Sequence, residues 1–417
     1  MRSRQFPASG FQVFSMLSRT ARACLARLQP QIETSQTLLK ATPVLATKVA
    51  SITSAHGKPR EGMIPPWPYR TKPYRMWHQF LTFESTMKRM DENAKIICVD
   101  GNIGVGKTEF SKKLAKELDF WYVPETTDTD VYTLGDFDLR ELNKFLPPNA
   151  RMYDMADFYG GYESMGGKVG GLQVRMYVQR FYKYAEALVH VLNTGQGVVL
   201  DRSVWSDLVF AEVLNKMGYI SKDALKYYYM IRENSLCELW APHLTIYLDA
   251  PVSTLRERII KRNKPMEVNS KILNDDFLTN MEKVYKNKFI PQMRKFGEVV
   301  EYNWQDYGPE WDILVEEIEQ LKLEPDLNED ANKFSDWEIN REDDWSFYRR
   351  YFNNKVALDR LFSRPFWYDR CPEMFPTGDD AYAILEILDK HPCTQFRPGF
   401  RKELGEKEIL WNLGIDK

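Results

Sequence analysis

The run Gly101-Asn102-Ile103-Gly104-Val105-Gly106-Lys107-Thr108 is a complete G-x-x-x-x-G-K-[ST] phosphate loop. Its glycines let backbone N–H groups face phosphate oxygens. Lys107 supplies a point charge for the β- and γ-phosphates, and Thr108 is a Mg²⁺ ligand. A helix opening near Lys107 would aim its positive dipole end at the same phosphates. A second group, Asp201-Arg202-Ser203, follows an apolar run. At the C-terminal end of a strand such an Asp can hold Mg²⁺ or its water, and such an Arg can grip phosphate or a sugar hydroxyl. The same Asp can equally cap the next helix. A third group is Arg256, Arg258, Lys261, Arg262 and Lys264. It suits a lid over a transferred phosphate or a solvated helix face.

The elements that must position these residues can be read from periodicity. Ile96-Ile97-Cys98-Val99, ending in Asp100, is a short apolar run and predicts a buried strand directly before the loop. Further strands are expected at 198–200, 244–248 and 299–302. Helices are expected at 107–118, 172–193, 203–217, 221–239, 252–262, 275–296 and 309–322. The alternation predicts an α/β fold with a parallel sheet flanked by helices and right-handed crossovers. Residues 75–91 fit a short helix. The Gly, Asp and Tyr content of 126–171, with Gly-Gly at 160, 166 and 170, predicts a mobile loop. The organisation is therefore a leader over 1–60, a Pro- and aromatic-rich docking segment over 61–93, a core over 94–323 and an extension over 324–417. That extension mixes charge with aromatic residues such as Trp337, Trp345, Phe352, Trp367 and Trp411, which should pack on the core or on a partner.

Net charge is −2, so nothing pulls the chain towards nucleic acid. The charge is uneven, because residues 1–60 carry nine Lys and Arg against one acid, Glu33. An acid-free start with five arginines and a possible apolar stripe has the composition of a mitochondrial transit peptide. No apolar run reaches the ~18–20 residues that span a bilayer. The five cysteines and five histidines are scattered, without a zinc, haem or Fe–S spacing.

Taken together, the Gly-Asn-Ile-Gly loop, Leu172-Gln173 and Asp201-Arg202-Ser203-x-x-Ser206-Asp207 resemble the deoxynucleoside kinases over about 94–323. The resemblance implies a P-loop kinase fold. It implies that Gln173 hydrogen-bonds a base, with Arg180 and its partner acid Asp207 in the base pocket. By the same likeness Arg202 lies near the 5′-hydroxyl, Glu267 reaches the sugar from the lid, Arg258 and Arg262 are lid arginines, and Glu125 is the general base. Two departures stand out. Active members carry Glu-Pro where this chain has Pro124-Glu125-Thr126, which predicts a shifted carboxylate. The lid form Arg-x-Arg-x-Glu-Glu is replaced by Arg262-Asn263-Lys264-Pro265-Met266-Glu267, and Lys lacks the planar fork of Arg.

Within that family the chain is similar to the branch that serves as an accessory subunit of mitochondrial respiratory complex I. The likeness lies in Thr194–Leu200, Pro242-His243-Leu244, the basic leader and the aromatic extension. It implies a non-redox subunit that supports the assembly and stability of the complex. Such a subunit is peripheral to the inner membrane on the matrix side and touches other complex I subunits through its N-terminal segment and its extension. Its ligand would be ATP, a dNTP or a related nucleotide, with Mg²⁺ on Thr108 and Asp201. FAD goes with this branch by association, although the chain lacks a Gly-x-Gly-x-x-Gly dinucleotide turn. The alternative is an active mitochondrial deoxynucleoside kinase that transfers the ATP γ-phosphate to a 5′-hydroxyl.

Overall fold

The computed structural model describes residues 66–72, 74–75, 77–78, 85–134, 137–325, 332–363, 371 and 373–391. The leader over 1–60, residues 61–65, the aromatics Phe366, Trp367, Tyr368 and Trp411, and the rest of the chain's end lie outside the described residues.

Five strands make the main sheet: β1 (Ile96–Gly101), β2 (Trp121–Val123), β5 (Val198–Asp201), β6 (Leu244–Asp249) and β7 (Glu298–Asn303). They lie in the order β2-β5-β1-β6-β7, and every pair is parallel. β1 is central and wholly buried, as its unbroken apolar sequence requires. The chain runs from β1 to one side and later crosses to β6 on the other, so the switch of direction falls at the C-terminal end of β1, where the phosphate loop begins. A two-stranded hairpin, β3 (Thr133–Leu134) with β4 (Phe137–Asp138), stands apart.

The helices, in chain order, are α1 (Lys107–Glu117), α2 (Asp128–Tyr132), α3 (Met155–Gly160), α4 (Val169–Thr194), α5 (Leu208–Lys216), α6 (Lys222–Leu236), α7 (Val252–Arg262), α8 (Pro265–Val268), α9 (Asp275–Val284), α10 (Ile290–Met293), α11 (Trp311–Glu319), α12 (Glu342–Phe352), α13 (Lys355–Asp359) and α14 (Gly378–Lys390). The expected helix over 275–296 is continuous in direction, but a π turn at Tyr285–Phe289 separates α9 from α10. That turn brings Tyr285 to the site.

The structure differs from the expectations in two places. β2 was not anticipated, because three edge residues, two of them half-buried aromatics, leave no alternation to detect. The segment 126–171 holds α2 and α3, each opened by a capping box, the β3–β4 pair, and 3-10 turns at Leu139–Lys144, Pro148–Ala150 and Tyr162–Met165; Gly170 and Gly171 belong to the first turn of α4. Of 75–91, residues 77–78 are helical and Met87–Arg89 form a 3-10 turn, while 76 and 79–84 lie outside the described residues. Among the described residues no helix is long and apolar enough to cross a membrane.

The extension packs on the core. Trp240 sits amid the rings of Trp337, Trp345, Tyr348 and Phe352, at centroid distances of 4.9, 5.6, 4.9 and 5.5 Å. Arg349 of α12 is fully buried. Its guanidinium donates to Asn193 Oδ1 at 2.5 Å and lies 3.7 Å from the Tyr74 ring centroid, so it ties the extension to α4 and to the docking segment.

Candidate functional site

The phosphate loop is held open by its glycines and by the lid helix behind it. Gly104 has φ +83° and Gly106 φ +106°, conformations that strain any residue with a Cβ. A Cβ on Gly104 would also stand 2.8 Å from Ile259 Cγ1 of α7. Asn102 anchors the near end of the loop: its Nδ2 donates to Leu278 O at 2.9 Å and its Oδ1 accepts from Ile103 N at 2.8 Å. Lys107 opens α1, and its Nζ folds back to donate to Asn102 O at 3.0 Å. Burial, reinforced by the nearby Arg202 charge, lowers Lys107 to a pKa of about 8 against the opposing pull of Glu125, Asp201 and Asp100. Thr108 Oγ1 donates to Asp201 Oδ2 at 2.5 Å.

Three carboxylates close around this loop from strand ends. Asp100 ends the apolar run of β1, Glu125 follows β2 and Asp201 ends β5. Burial pushes Asp100 up to about 6 and raises Asp201, the latter helped by the neighbouring Glu125 charge. Asp100 Oδ1 and Asp201 Oδ1 are buried without a hydrogen-bond partner. Buried carboxylate oxygens left open call for water or a cation. The Thr108 hydroxyl beside Asp201 therefore fits a hydrated Mg²⁺, a hard cation that takes oxygen ligands.

Glu125 sits inside the cationic cluster in spite of the Pro-Glu-Thr order. Arg202 Nε donates to its Oε1 at 2.7 Å, and the Arg180 guanidinium lies 3.7 Å away. Burial works against its ionisation, but Arg202, Lys107 and Arg180 outweigh this and hold the carboxyl down at about 2. The shift expected from the sequence thus costs Glu125 none of these contacts. Arg202 itself adopts φ +65° and also donates to Tyr285 Oη and to Gly101 O.

Beside the cluster a cavity opens, walled by Phe158, Tyr159, Leu172, Gln173, Met176 and Phe210, with Arg180 at its inner end. Asp207, fully buried, organises that end. It accepts from Arg180 Nη1, from Gln173 Nε2 at 2.8 Å and from Tyr228 Oη at 2.8 Å. Phe210 lies beneath two guanidiniums, 4.9 Å from Arg180 and 4.8 Å from Arg202. An apolar slot with a few fixed donors and acceptors suits a flat heterocycle. The sequence reading missed Phe210, Tyr228 and Tyr285. Tyr228 lies in a Tyr-Tyr-Tyr run that reads as core; Asp100, which the reading named only as the end of a strand, is an acid directly before the loop, and that position is the signal that could have found it.

The lid divides. Arg262 pairs with Glu267, which is buried, so these two stay together beside the cavity wall. Arg258 does not join them, contrary to the expectation of a lid arginine. Its guanidinium donates to Val105 O at 2.8 Å, Trp304 O at 2.8 Å and Gln305 O at 2.7 Å, and it lies 4.3 Å from the Tyr307 ring centroid. Three carbonyls and a ring saturate it, so it staples the phosphate loop to the turn after β7. Arg256 turns to Leu273 O and Asp275. Pro265 begins α8, where a missing N–H and a fixed φ are well tolerated.

Comparison with known proteins agrees with this architecture. The family model described as deoxynucleoside kinase matches residues 97–337. The chain is 31% identical over 333 residues to NADH dehydrogenase [ubiquinone] 1 alpha subcomplex subunit 10, mitochondrial, of Bos taurus, covering 79% of this chain and 90% of that protein. The Mus musculus protein of the same name is 32% identical over 330 residues, covering 78% of this chain and 86% of that protein. A deoxyguanosine kinase of Dictyostelium discoideum is 28% identical over 252 residues, covering 60% of this chain and 78% of that protein. On the match across 97–337 and on 31% identity along nine-tenths of the bovine protein, this chain belongs to the deoxynucleoside kinase family, in the branch of the alpha subcomplex subunit 10 proteins.

Proposed function

We propose that the chain is an accessory, non-redox subunit of mitochondrial complex I that holds a nucleotide in a deoxynucleoside kinase fold. It sits on the matrix side of the inner membrane and contributes to assembly and stability of the complex. The observation that carries this is the extent of the likeness to subunit 10. The 333 aligned residues exceed the span 97–337 and so take in sequence flanking the kinase-like part. The docking segment and the extension, joined through Arg349, are the surfaces offered to neighbouring subunits. In the site, the loop 101–108 cradles phosphates, and Gln173, Arg180 and Asp207 face the base. Thr108 and Asp201 would hold Mg²⁺, which would supply positive charge against the phosphates. A bound nucleotide stabilises the subunit by linkage. The test is to tag the chain in mitochondria and resolve native complexes. Co-migration with complex I, and loss of assembled complex on depletion, are expected. A chain found free, with complex I intact after depletion, overturns the proposal.

One observation favours a second reading, an active kinase. Glu125 accepts from Arg202 Nε at 2.7 Å, beside the phosphate loop, so the carboxylate and the arginine that the family likeness assigns to the 5′-hydroxyl stand together. Labelled ATP offered with each common deoxynucleoside decides it. Phosphorylation that disappears in Lys107→Ala supports turnover; no product above that variant's background ends the reading.

A further inference from the structure

The helix that carries Gln173 and Arg180 begins against a segment no minimal kinase core needs. α4 lines the nucleoside cavity with Leu172, Gln173, Met176 and Arg180. The flank of its first turn, at Gly170 and Gly171, is covered by Glu373 and Met374 from the extension. A Cβ on Gly170 would overlap Met374 Sδ, and one on Gly171 would lie 3.3 Å from Met374 O. The two glycines are therefore the space into which the extension fits. Lys168, at the N-cap of α4, donates to Phe375 O at 3.0 Å. Leu172 lines both the nucleoside cavity and a smaller cavity bounded by Met374 and Phe375, so one side chain separates the two.

The same segment grips a second helix. Ser221, which caps α6 by accepting from Ala224 N, donates through its hydroxyl to the Glu373 carboxylate, and its N–H points to the same group at 3.3 Å. Phe375 meets the Tyr227 ring edge-on at 5.0 Å. The next residue, Tyr228, donates to Asp207 inside the site. Residues 373–375 thus bind the starts of α4 and α6, the two helices whose side chains meet on Asp207.

We propose that Met374, with Glu373 and Phe375, positions the nucleoside half of the site: the extension is a clamp that sets the spacing of Gln173, Arg180 and Tyr228 about Asp207. This rests on the reading of that cavity as a nucleoside pocket. The clamp does not touch the phosphate loop, which is anchored by Asn102 and by Arg258. The two halves of the site should therefore respond differently when it is loosened.

The experiment uses the full chain with Met374→Ala, Phe375→Ala and the volume-conserving Met374→Leu. Four deoxynucleosides (deoxyadenosine, deoxyguanosine, deoxycytidine and thymidine) probe the cavity, ADP probes the loop, and hydrogen exchange is followed over 169–180. In the alanine variants we expect about tenfold weaker binding of the deoxynucleoside that the wild type takes, unchanged ADP binding and faster exchange, with Met374→Leu close to wild type. Unchanged deoxynucleoside affinity in both alanine variants overturns the positioning role alone. So does equal weakening of deoxynucleoside and ADP, which marks a general loss of stability. A wild-type chain that binds none of the four overturns the pocket reading, and the clamp with it.

Discussion

Asp207→Asn tests the organisation of the site most directly. Asp207 is fully buried, and its two oxygens take three donors from two helices. Asparagine keeps the shape and one acceptor oxygen but loses the charge. Breaking a buried ion pair by removing one partner costs about 3–5 kcal/mol, because the remaining charge is left uncompensated. Here that charge is Arg180, 7% exposed, whose Nε already has no partner. Glu125, 3.7 Å away, softens the loss, so we take the lower end, about 3 kcal/mol. A weakened bond to Gln173 or Tyr228 adds about 1 kcal/mol. Urea unfolding followed by tryptophan fluorescence should therefore show about 3–4 kcal/mol lost in Asp207→Asn. In a double-mutant cycle with Arg180→Met, the second substitution should recover about 2 kcal/mol, since no stranded cation remains. A single-mutant loss under about 1 kcal/mol, or strict additivity in the cycle, would refute the claim that this pair holds the pocket together.

Three further outcomes are expected. Because Lys107 is lowered to about 8, its charge is lost as pH rises through that value; affinity for ADP, read by calorimetry, should fall between pH 7 and 9, and Lys107→Ala should abolish both the binding and its pH dependence. Glu125 is depressed from its ordinary value to about 2, so its contribution to stability is present above about pH 4.5 and lost as pH falls towards 2. Glu125→Gln should accordingly flatten the acid side of the stability profile seen by circular dichroism. Trp240→Ala removes the ring on which four extension aromatics converge, at a cost of about 3–5 kcal/mol. Limited proteolysis should then cut the extension before the core, and simultaneous cutting of both would contradict its separate docking.

Local features are legible in the chain alone. The phosphate loop was legible because its function lies in eight consecutive residues whose glycines, lysine and helix start act through backbone geometry. β1, β5 and β6 were legible because buried parallel strands are largely apolar runs, the half-exposed edge strand β7 from Val299-Val300 at its middle, and the aromatic extension because its composition exceeds what a solvated tail needs. Tertiary structure decided what depends on distance in space. It put Arg258 onto three carbonyls, since nothing in a helical charge run fixes where a long side chain points. It returned Glu125 to the arginines, because a strand of three residues, invisible as a pattern, sets where the chain after it lies. It brought Tyr285, 83 residues away in the chain, onto Arg202, and it laid Met374 against Gly170. Each of these contacts joins elements whose separate sequences carry no record of one another, so only the packing of the sheet, its helices and the extension could create them.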